Sequence, residues 1–247
     1  IHSLYSNKEI FIRELVSNAS DAIDKLRFKS VEDKSISKYT KDLKIDVKIL
    51  RDENKIIISD NGIGMNEDEV VANIGTIARS GTASFLNNIT GDKKKDSNLI
   101  GQFGVGFYSV FMVADKVEVI SKSVYEESDK ATLWESNGEE KYKLKEVTKE
   151  KNGTDIIIYL NDENKEFVEE GRVKFLLEKY SQYINFPLNL VTSESDTTRI
   201  NDADALWLKP KKDAKWNDHL KMFTETGSSF KFYSPGYPYL IVVQFLK

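Results

Sequence analysis

The sequence has no cysteine and only two histidines, His2 and His219. The missing thiols exclude disulfides, thiolate nucleophiles and thiolate metal ligands, and two histidines are too few for a histidine-rich zinc centre. Any general base must therefore be Asp, Glu or Lys. No apolar stretch approaches the roughly 18 residues that a membrane-spanning helix needs. Because 36 Lys and Arg face 40 Asp and Glu, a basic duplex-binding face is disfavoured, and we expect neither nucleic acid nor a membrane as a partner.

The remaining composition is that of a globular protein. The 247 residues are 40% hydrophobic and 31% charged, which suits one large domain or one and a half. The chain begins at Ile1 and shows no charged-then-apolar signal segment. We therefore expect a piece of a longer protein that works in a reducing compartment.

The first predicted element is an amphipathic helix from Glu9 to Phe28. Apolar residues recur at helical spacing, at Phe11, Leu15, Ala19, Ala22 and Leu26. A polar stripe runs beside them and consists of Glu14, Asn18, Asp21 and Lys25. Such a stripe is usually only the solvent-exposed face of a helix. Glu14 and Asn18 are neighbours one turn apart, however, and a carboxylate beside a carboxamide is suited to activating water next to a metal-bound phosphate.

Alternating apolar residues then predict an antiparallel hairpin of strands Lys44–Leu50 and Lys55–Ser59. The second strand leads into Asp60-Asn-Gly-Ile-Gly64, where the two glycines allow tight backbone turns. A carboxylate at the end of a buried strand is costly without a partner, so Asp60 needs a protein donor or a ligand. A purely structural cap is the more common outcome. Asn66 and Glu69 have the capping-box spacing that starts a helix.

A glycine-rich motif follows a stretch of weak periodicity, Gly75–Gly101, which we interpret as a mobile surface segment. Gly101-Gln-Phe-Gly-Val-Gly106 opens an apolar helical run over Phe107–Ala114. Glycines at a helix N-terminus let backbone N–H groups approach an anion closely. A helix packed tightly on a strand has the same pattern, and the motif lacks the Lys-Ser/Thr of a P-loop.

The rest of the chain predicts a sheet followed by a helix. Three or four strands are expected, at Val117–Ser121, Thr132–Glu135, Tyr142–Val147 and Asp155–Leu160. A helix from about Lys165 to Ile184 ends before Pro187. This order predicts an α+β fold, a two-layer sandwich of a mostly antiparallel sheet with helices on one face. We expect one domain over residues 1–191, a polar linker over 192–202 and the beginning of a second domain over 203–247.

Four segments together closely resemble the nucleotide-site motifs of the ninety-kilodalton heat-shock chaperones. They are Arg13-Glu-Leu-Val-Ser-Asn-Ala-Ser-Asp-Ala22, Asp60-Asn-Gly-Ile-Gly-Met65, Ile74-Gly-Thr-Ile-Ala-Arg-Ser-Gly81 and Gly101-Gln-Phe-Gly-Val-Gly-Phe-Tyr-Ser109. These chaperones belong to the GHKL ATPase superfamily, with gyrase, MutL and the sensor histidine kinases. Gly153-Thr154 resembles the superfamily's last adenine-side contact. The resemblance covers about Leu4 to Leu190, and the short linker without a long acidic run is similar to that of bacterial or organellar members.

The resemblance implies an adenine pocket and a hydrolytic centre. Asp60 is expected to accept a hydrogen bond from the adenine amino group, beside Gly64, Met65 and Thr154. Asn18 is the expected Mg²⁺ ligand, and Glu14 is the expected general base for the attacking water.

The resemblance also implies a phosphate cradle and a lid. The cradle is expected from the backbone of Gly104, Val105, Gly106 and Phe107. Residues 75–101 are expected to be the lid that closes over ATP. Further nucleotide-binding positions are expected at Asp21, Ala22, Lys25, Asn73, Arg79, Ser80 and Gly81.

The function that the resemblance implies is that of an ATP-dependent molecular chaperone. Mg²⁺-dependent hydrolysis of ATP to ADP would drive lid closure and clamping of a homodimer on client proteins, with co-chaperones as further partners. We expect the cytoplasm, with the mitochondrial or plastid matrix as the alternative. The family's N-terminal strand, middle-domain arginine and C-terminal dimerisation domain are not in this sequence, so slow hydrolysis by the fragment is expected.

Two other functions remain open for the same fold. A histidine-kinase-like phosphoryl transfer needs an acceptor histidine on a helical hairpin, and neither His2 nor His219 has that context. A module that binds nucleotide without turnover would need only the pocket.

Overall fold

The computed structural model of the chain describes residues 7–75, 105–139, 141–181, 184–193, 196–201, 231–232 and 241–242. The chain divides into two compact units, Ile1–Ala203 and Asp204–Lys247. Among the described residues, the first unit has three α-helices: α1 Ile10–Glu32, α2 Glu67–Val70 and α3 Glu170–Ser181. Short 3₁₀-helices cover Lys34–Thr40, Arg51–Glu53, Val105–Met112 and Asp162–Val168, and a π-helical turn covers Val71–Gly75.

Eight strands form one sheet in the first unit. They are β1 Ile45–Leu50, β2 Lys55–Asp60, β3 Ala114–Lys122, β4 Lys130–Ser136, β5 Lys143–Thr148, β6 Gly153–Leu160, β7 Leu188–Ser193 and β8 Asp196–Arg199. Their order is β5-β4-β3-β6-β2-β1-β7-β8, and every neighbouring pair is antiparallel except β1 with β7. The predicted α+β fold with a mostly antiparallel sheet is confirmed.

The inner face of the sheet consists of rows of residues that the strand register aligns. Two rows are apolar and buried: Leu190-Val47-Ile58-Ile156-Val119-Trp134 and Ile49-Ile56-Ile158-Val117. The next row, at the end of β2 and the start of β6, contains Asp60, Thr154, Ser121 and Thr132. We call these four residues the polar row. It places polar side chains at one edge of the apolar core, with Ser121, Thr132 and Thr154 buried and Asp60 half-buried.

Helix α1 covers this core with a stripe of buried residues at helical spacing. It begins at Ile10 and continues to Glu32, four residues beyond the predicted end at Phe28. The buried side chains are Phe11, Ile12, Leu15, Val16, Ala19, Ile23 and Leu26. Ile23 replaces the predicted Ala22 in the fully buried stripe, and Ala22 is half-buried.

The N-terminal end of α1 is fastened to α3 by Glu9. The Glu9 carboxylate accepts hydrogen bonds from Arg172 at 2.6 Å, Tyr180 at 3.0 Å and Lys179 at 3.3 Å. Burial alone would raise the pKa of Glu9, but the bonds from Arg172, Tyr180 and Lys179 outweigh it and lower that pKa to about 2. This contact fixes the position from which the polar stripe of α1 projects.

Two predicted helices differ from the structure. The apolar run after Gly106 is a 3₁₀-helix, Val105–Met112, and β3 starts at Ala114. The single helix predicted over Lys165–Ile184 is instead the 3₁₀-helix Asp162–Val168 followed by α3. The two helices are separate because the backbone of Glu169 between them is extended, with φ −80° and ψ 121°.

Residues 192–202 were predicted as a linker, but they contain the end of β7 and all of β8. The polar composition that suggested a linker belongs to an edge strand, in which Thr197 is exposed and Thr198 is half-buried. Asn201, which follows β8, connects it to the start of β7. It accepts the Leu188 N–H at 2.8 Å and donates to Phe186 O at 2.7 Å.

In the second unit, the described residues form one short antiparallel pair, β9 Lys231–Phe232 and β10 Ile241–Val242. None of the described helices in the chain is long and apolar enough to span a membrane.

Candidate functional site

Asp60 is the charged member of the polar row and lies half-buried at the end of β2. Its Oδ1 accepts the Gly62 N–H at 2.8 Å. Burial raises the pKa of Asp60 to about 7, and nearby Asp155 also raises it, whereas the N–H groups of Gly62 and Thr154 lower it. A carboxyl that is this costly to ionise favours a ligand that donates a hydrogen bond to it.

The turn after Asp60 is compressed between α1 and β3. A Cβ on Gly62 would lie 2.6 Å from the backbone carbon of Ala22, and Ile63 donates its N–H to Ala22 O at 3.1 Å. Gly64 has φ +64°, and a Cβ there would lie 1.8 Å from the carbonyl oxygen of Lys122. The two glycines therefore let the turn pass close to both neighbours, which keeps Asp60 next to α1.

Two asparagine side chains fix this turn from the side. Asn152 donates to Gly62 O at 2.7 Å. Asn61 accepts the Lys44 N–H at 2.8 Å and donates to Asp42 O at 2.9 Å. The sequence analysis missed Asn152, which belongs to a distant loop and carries no motif of its own.

Three residues behind Asp60 form a chain of hydrogen bonds. Met65 donates its N–H to Ser121 Oγ at 2.9 Å, and Ser121 Oγ lies 2.9 Å from Thr154 Oγ1. Ser121 is fully buried and Thr154 is 7% exposed. Asn73 contacts the Met65 sulfur at 3.6 Å. The structure thus brings together Asp60, Gly64, Met65, Asn73 and Thr154, and it adds Ser121, which the sequence analysis had treated only as part of a strand.

Glu14 lies against the glycine-rich segment. A Cβ on Gly106 would lie 2.3 Å from Glu14 Oε2, so the carboxylate in this position lies directly against the backbone of Gly106. The Glu14 side chain is 16% exposed, and its Oε1 pairs with Arg13 Nη2 at 2.6 Å. Phe107 is 4% exposed and packs edge-on against Trp134 at 5.7 Å between ring centroids. Phe107 can therefore contact a phosphate only through its backbone.

The rest of the polar stripe of α1 continues from Glu14 along the helix. Asn18, Asp21 and Lys25 are exposed, and Ala22 between them is half-buried. Desolvation raises the pKa of Asp21, and the neighbouring Lys25 opposes that shift. Asn18 lies one helical turn from Glu14, so an amide oxygen and a carboxylate face the same side of the helix.

Several predicted site residues cannot be placed. Arg79, Ser80, Gly81 and Gly104 lie outside the described residues, as does most of the predicted lid. Val105 is the first residue of the 3₁₀-helix that contains Gly106.

The described residues contain no cluster of three or more His, Asp or Glu side chains that could hold a metal ion alone. An amide such as that of Asn18 fits Mg²⁺ only when substrate phosphates and water supply the remaining oxygen ligands, which is the usual way proteins bind this ion at phosphate sites. The donor set is therefore compatible with magnesium that arrives with a nucleotide.

A cavity of about 530 Å³ lies at the opposite end of β1 from the polar row. Its lining includes the exposed Arg51, which pairs with Glu169 at 2.7 Å. It shares no residue with the site around Asp60.

The family to which this fold belongs is a class of ATPase. Residues 5–160 match the family described as histidine kinase-, DNA gyrase B- and HSP90-like ATPase, and because this is more than half of the chain, the protein belongs to that family. The resemblance predicted from the four motifs is thereby confirmed.

Within this family the chain is similar to bacterial proteins named chaperone protein HtpG. It is 49% identical to that of Sulfurovum sp. over 237 residues, 48% identical to that of Hydrogenovibrio crunogenus over 233 residues and 47% identical to that of Campylobacter jejuni over 239 residues. These matches cover 90%, 90% and 91% of this chain. They cover 38%, 37% and 38% of the relatives, so the chain spans less than two fifths of their length.

Proposed function

We propose that this chain is the ATP-binding and ATP-hydrolysing part of an HtpG-like molecular chaperone. The observation that carries the proposal is the half-buried Asp60 carboxyl beside the Thr154 hydroxyl, at the edge of a core that α1 covers. The pairing of Glu14 with Gly106 adds a hydrolytic group beside a glycine-rich segment.

Adenine recognition would use the polar row. Asp60 would accept the exocyclic amino proton, while Thr154 would offer a hydroxyl to the ring. The turn over Gly62–Gly64 and the Met65 side chain would form the wall next to the base. The pocket would exclude water from the Asp60 carboxyl once a base is bound, which strengthens that hydrogen bond.

Hydrolysis would use the polar stripe of α1. Glu14 would accept a proton from the attacking water. Its carboxylate would first have to break the ion pair with Arg13. Asn18 would hold Mg²⁺, and the metal, when bound, would offset phosphate charge. The backbone N–H groups of residues 104–107 would bind phosphate oxygens, with Asp21, Ala22, Lys25, Asn73, Arg79, Ser80 and Gly81 as further contacts.

The chaperone cycle would couple this site to larger movements. In this proposal residues 75–101 are the lid, residues 1–191 the nucleotide domain and residues 203–247 the beginning of a middle domain. Binding of ATP would favour a closed homodimer that clamps client proteins, because the closed state would bind ATP more tightly than the open one. The proposed location is the cytoplasm, and co-chaperones are proposed partners.

Titration calorimetry of the chain with ADP and with Mg²⁺-ATP tests the binding step. We expect binding of both, and no binding of either would overturn the proposal. Single-turnover hydrolysis by the full-length protein tests the catalytic step, with Glu14→Ala as the variant and Glu53→Ala, on the 3₁₀-helix after β1, as the matched control. Equal rates in both variants would contradict the role of Glu14.

A further inference from the structure

The hydrogen bonds behind the polar row have a direction that the backbone sets. The Met65 N–H can only donate, and it donates to Ser121 Oγ at 2.9 Å. Ser121 Oγ therefore has its own proton left to donate. Its nearest acceptor is Thr154 Oγ1 at 2.9 Å, whereas Gly153 O lies at 3.5 Å, beyond the usual range of a good O–H donor.

We propose that Ser121 is a positioning residue, which makes the Thr154 hydroxyl a donor to the bound base and so selects a 6-aminopurine over a 6-oxopurine. The proposal rests on the proposed nucleotide function of the site. It adds a residue that does not touch the base to the set that determines base specificity.

The direction of these hydrogen bonds matters because Asp60 and Thr154 are register partners on β2 and β6. With Ser121 donating to Thr154, the two groups present an acceptor and a donor side by side. The adjacent edge of adenine offers an amino donor and the N1 acceptor, which is complementary. Guanine offers the O6 acceptor and an N1–H donor, so both contacts would be mismatched, and the half-buried Asp60 and the buried Thr154 would both lose their partners.

The opposite direction is disfavoured by the same distances. If Thr154 donated to Ser121, the Ser121 hydroxyl could donate only to Gly153 O at 3.5 Å. Because Ser121 is fully buried, a poorly made bond there cannot be replaced by bulk water. Hydrogen bonds that run in the same direction also polarise one another, which strengthens the series from Met65 through Ser121 to Thr154.

The test compares ADP with GDP and with the 1-deaza analogue of ADP, which lacks the N1 acceptor, by calorimetry on the parent chain and on Ser121→Ala. The parent is expected to bind the analogue roughly 3- to 10-fold more weakly than ADP, which is the usual effect of one neutral hydrogen bond. In Ser121→Ala the Thr154 hydroxyl can turn either to donate or to accept, so the preference for ADP over GDP is expected to decrease by roughly 3- to 10-fold, the effect of one neutral hydrogen bond.

Ser136→Ala is the matched control. Ser136 is a buried serine on the inner face of β4 and accepts a backbone N–H, from Gly138 at 3.1 Å, as Ser121 does from Met65. A general loosening of the fold would weaken the binding of ADP and GDP equally and leave the ratio of their affinities unchanged. The control variant is therefore expected to keep the parental ratio.

The outcomes separate the two proposals. A parent chain that binds neither nucleotide overturns the proposed function. A Ser121→Ala variant that prefers ADP over GDP as strongly as the parent does overturns only the role of Ser121. If circular dichroism shows that Ser121→Ala does not fold, Ser121→Cys is read in the same way, because a thiol of similar size is a weak donor.

Discussion

Replacing Asp60 by Asn should stabilise the fold and weaken nucleotide binding at the same time. The substitution keeps the shape of the side chain, and its amide oxygen can still accept the Gly62 N–H that the carboxylate accepts at 2.8 Å. It removes the charge, and it places an amide donor where the second carboxylate oxygen was. Stability and binding should therefore change in opposite directions.

The stability effect follows from the pKa of Asp60. The folded-state pKa is raised from 3.8 to about 7, chiefly by burial. A group with a raised folded-state pKa favours folding below its unfolded pKa, and this contribution is lost as the pH rises through about 7. Above that pH the ionised carboxylate disfavours folding by up to about 4 kcal/mol. Asp60→Asn should recover part of this free energy at pH 8 and progressively less as the pH falls towards 4.

The binding effect has its own pH dependence. A hydrogen bond to a charged group contributes about 1.5–3 kcal/mol, so Asp60→Asn should weaken ADP binding by about 10- to 150-fold. In the parent, adenosine affinity should fall as the pH drops below about 7, because binding favours the ionised carboxyl. Adenosine has no group that titrates between about pH 6 and pH 8, and the Asn variant should show no such slope.

Urea unfolding at pH 8 and pH 5, together with calorimetry of ADP and adenosine, measures both effects. Asp46→Asn is the matched control, since Asp46 lies on the outer face of β1 and accepts from Asn189 at 2.8 Å. It should leave ADP affinity unchanged. An Asp60→Asn variant that is less stable than the parent at pH 8 would refute the argument from the buried charge. Near-parental ADP affinity would refute the adenine contact.

Three further perturbations test separate parts of the structure. Glu14→Ala should preserve ADP binding and slow single-turnover hydrolysis by about 10²- to 10⁴-fold; an unchanged rate removes Glu14 from the mechanism. Gly64→Ala should lower the Tm, since its Cβ would lie 1.8 Å from Lys122 O; an unchanged Tm contradicts that close approach. Glu9→Gln should lose about 1–3 kcal/mol of stability at pH 7. Because the pKa of Glu9 is lowered from 4.5 to about 2, its ion pair with Arg172 stabilises the fold above pH 4.5, and variant and parent should converge in urea unfolding as the pH falls towards 2.

The sequence predicted the parts of the fold whose side chains repeat with a clear period. The alternation in β1 and β2 predicted the hairpin, and the capping box at Asn66 and Glu69 is present in the structure, with both hydrogen bonds at 2.9 Å. The motif after Asp60 was informative because its glycines meet backbone atoms of other elements, a requirement that restricts the residue type.

The remaining features depend on contacts between residues distant in sequence. Ser121 acquires its place only because β3 and β6 pair and align it with Thr154. Asn152 reaches Gly62 across 90 positions. Strand β8 looked like a linker because an edge strand needs no apolar face. In each case the chemical role is set by the register of the sheet, which a single sequence does not specify.

That register also links stability to the proposed function. On β2, β6 and β3, each residue of the polar row lies two positions from a buried apolar residue: Asp60 from Ile58, Thr154 from Ile156 and Ser121 from Val119. Side chains alternate between the faces of a sheet, so a shift of one residue would expose the apolar side chains and turn the polar row outward together. The burial of the apolar rows therefore holds Asp60, Thr154 and Ser121 in the alignment that the proposed base recognition requires.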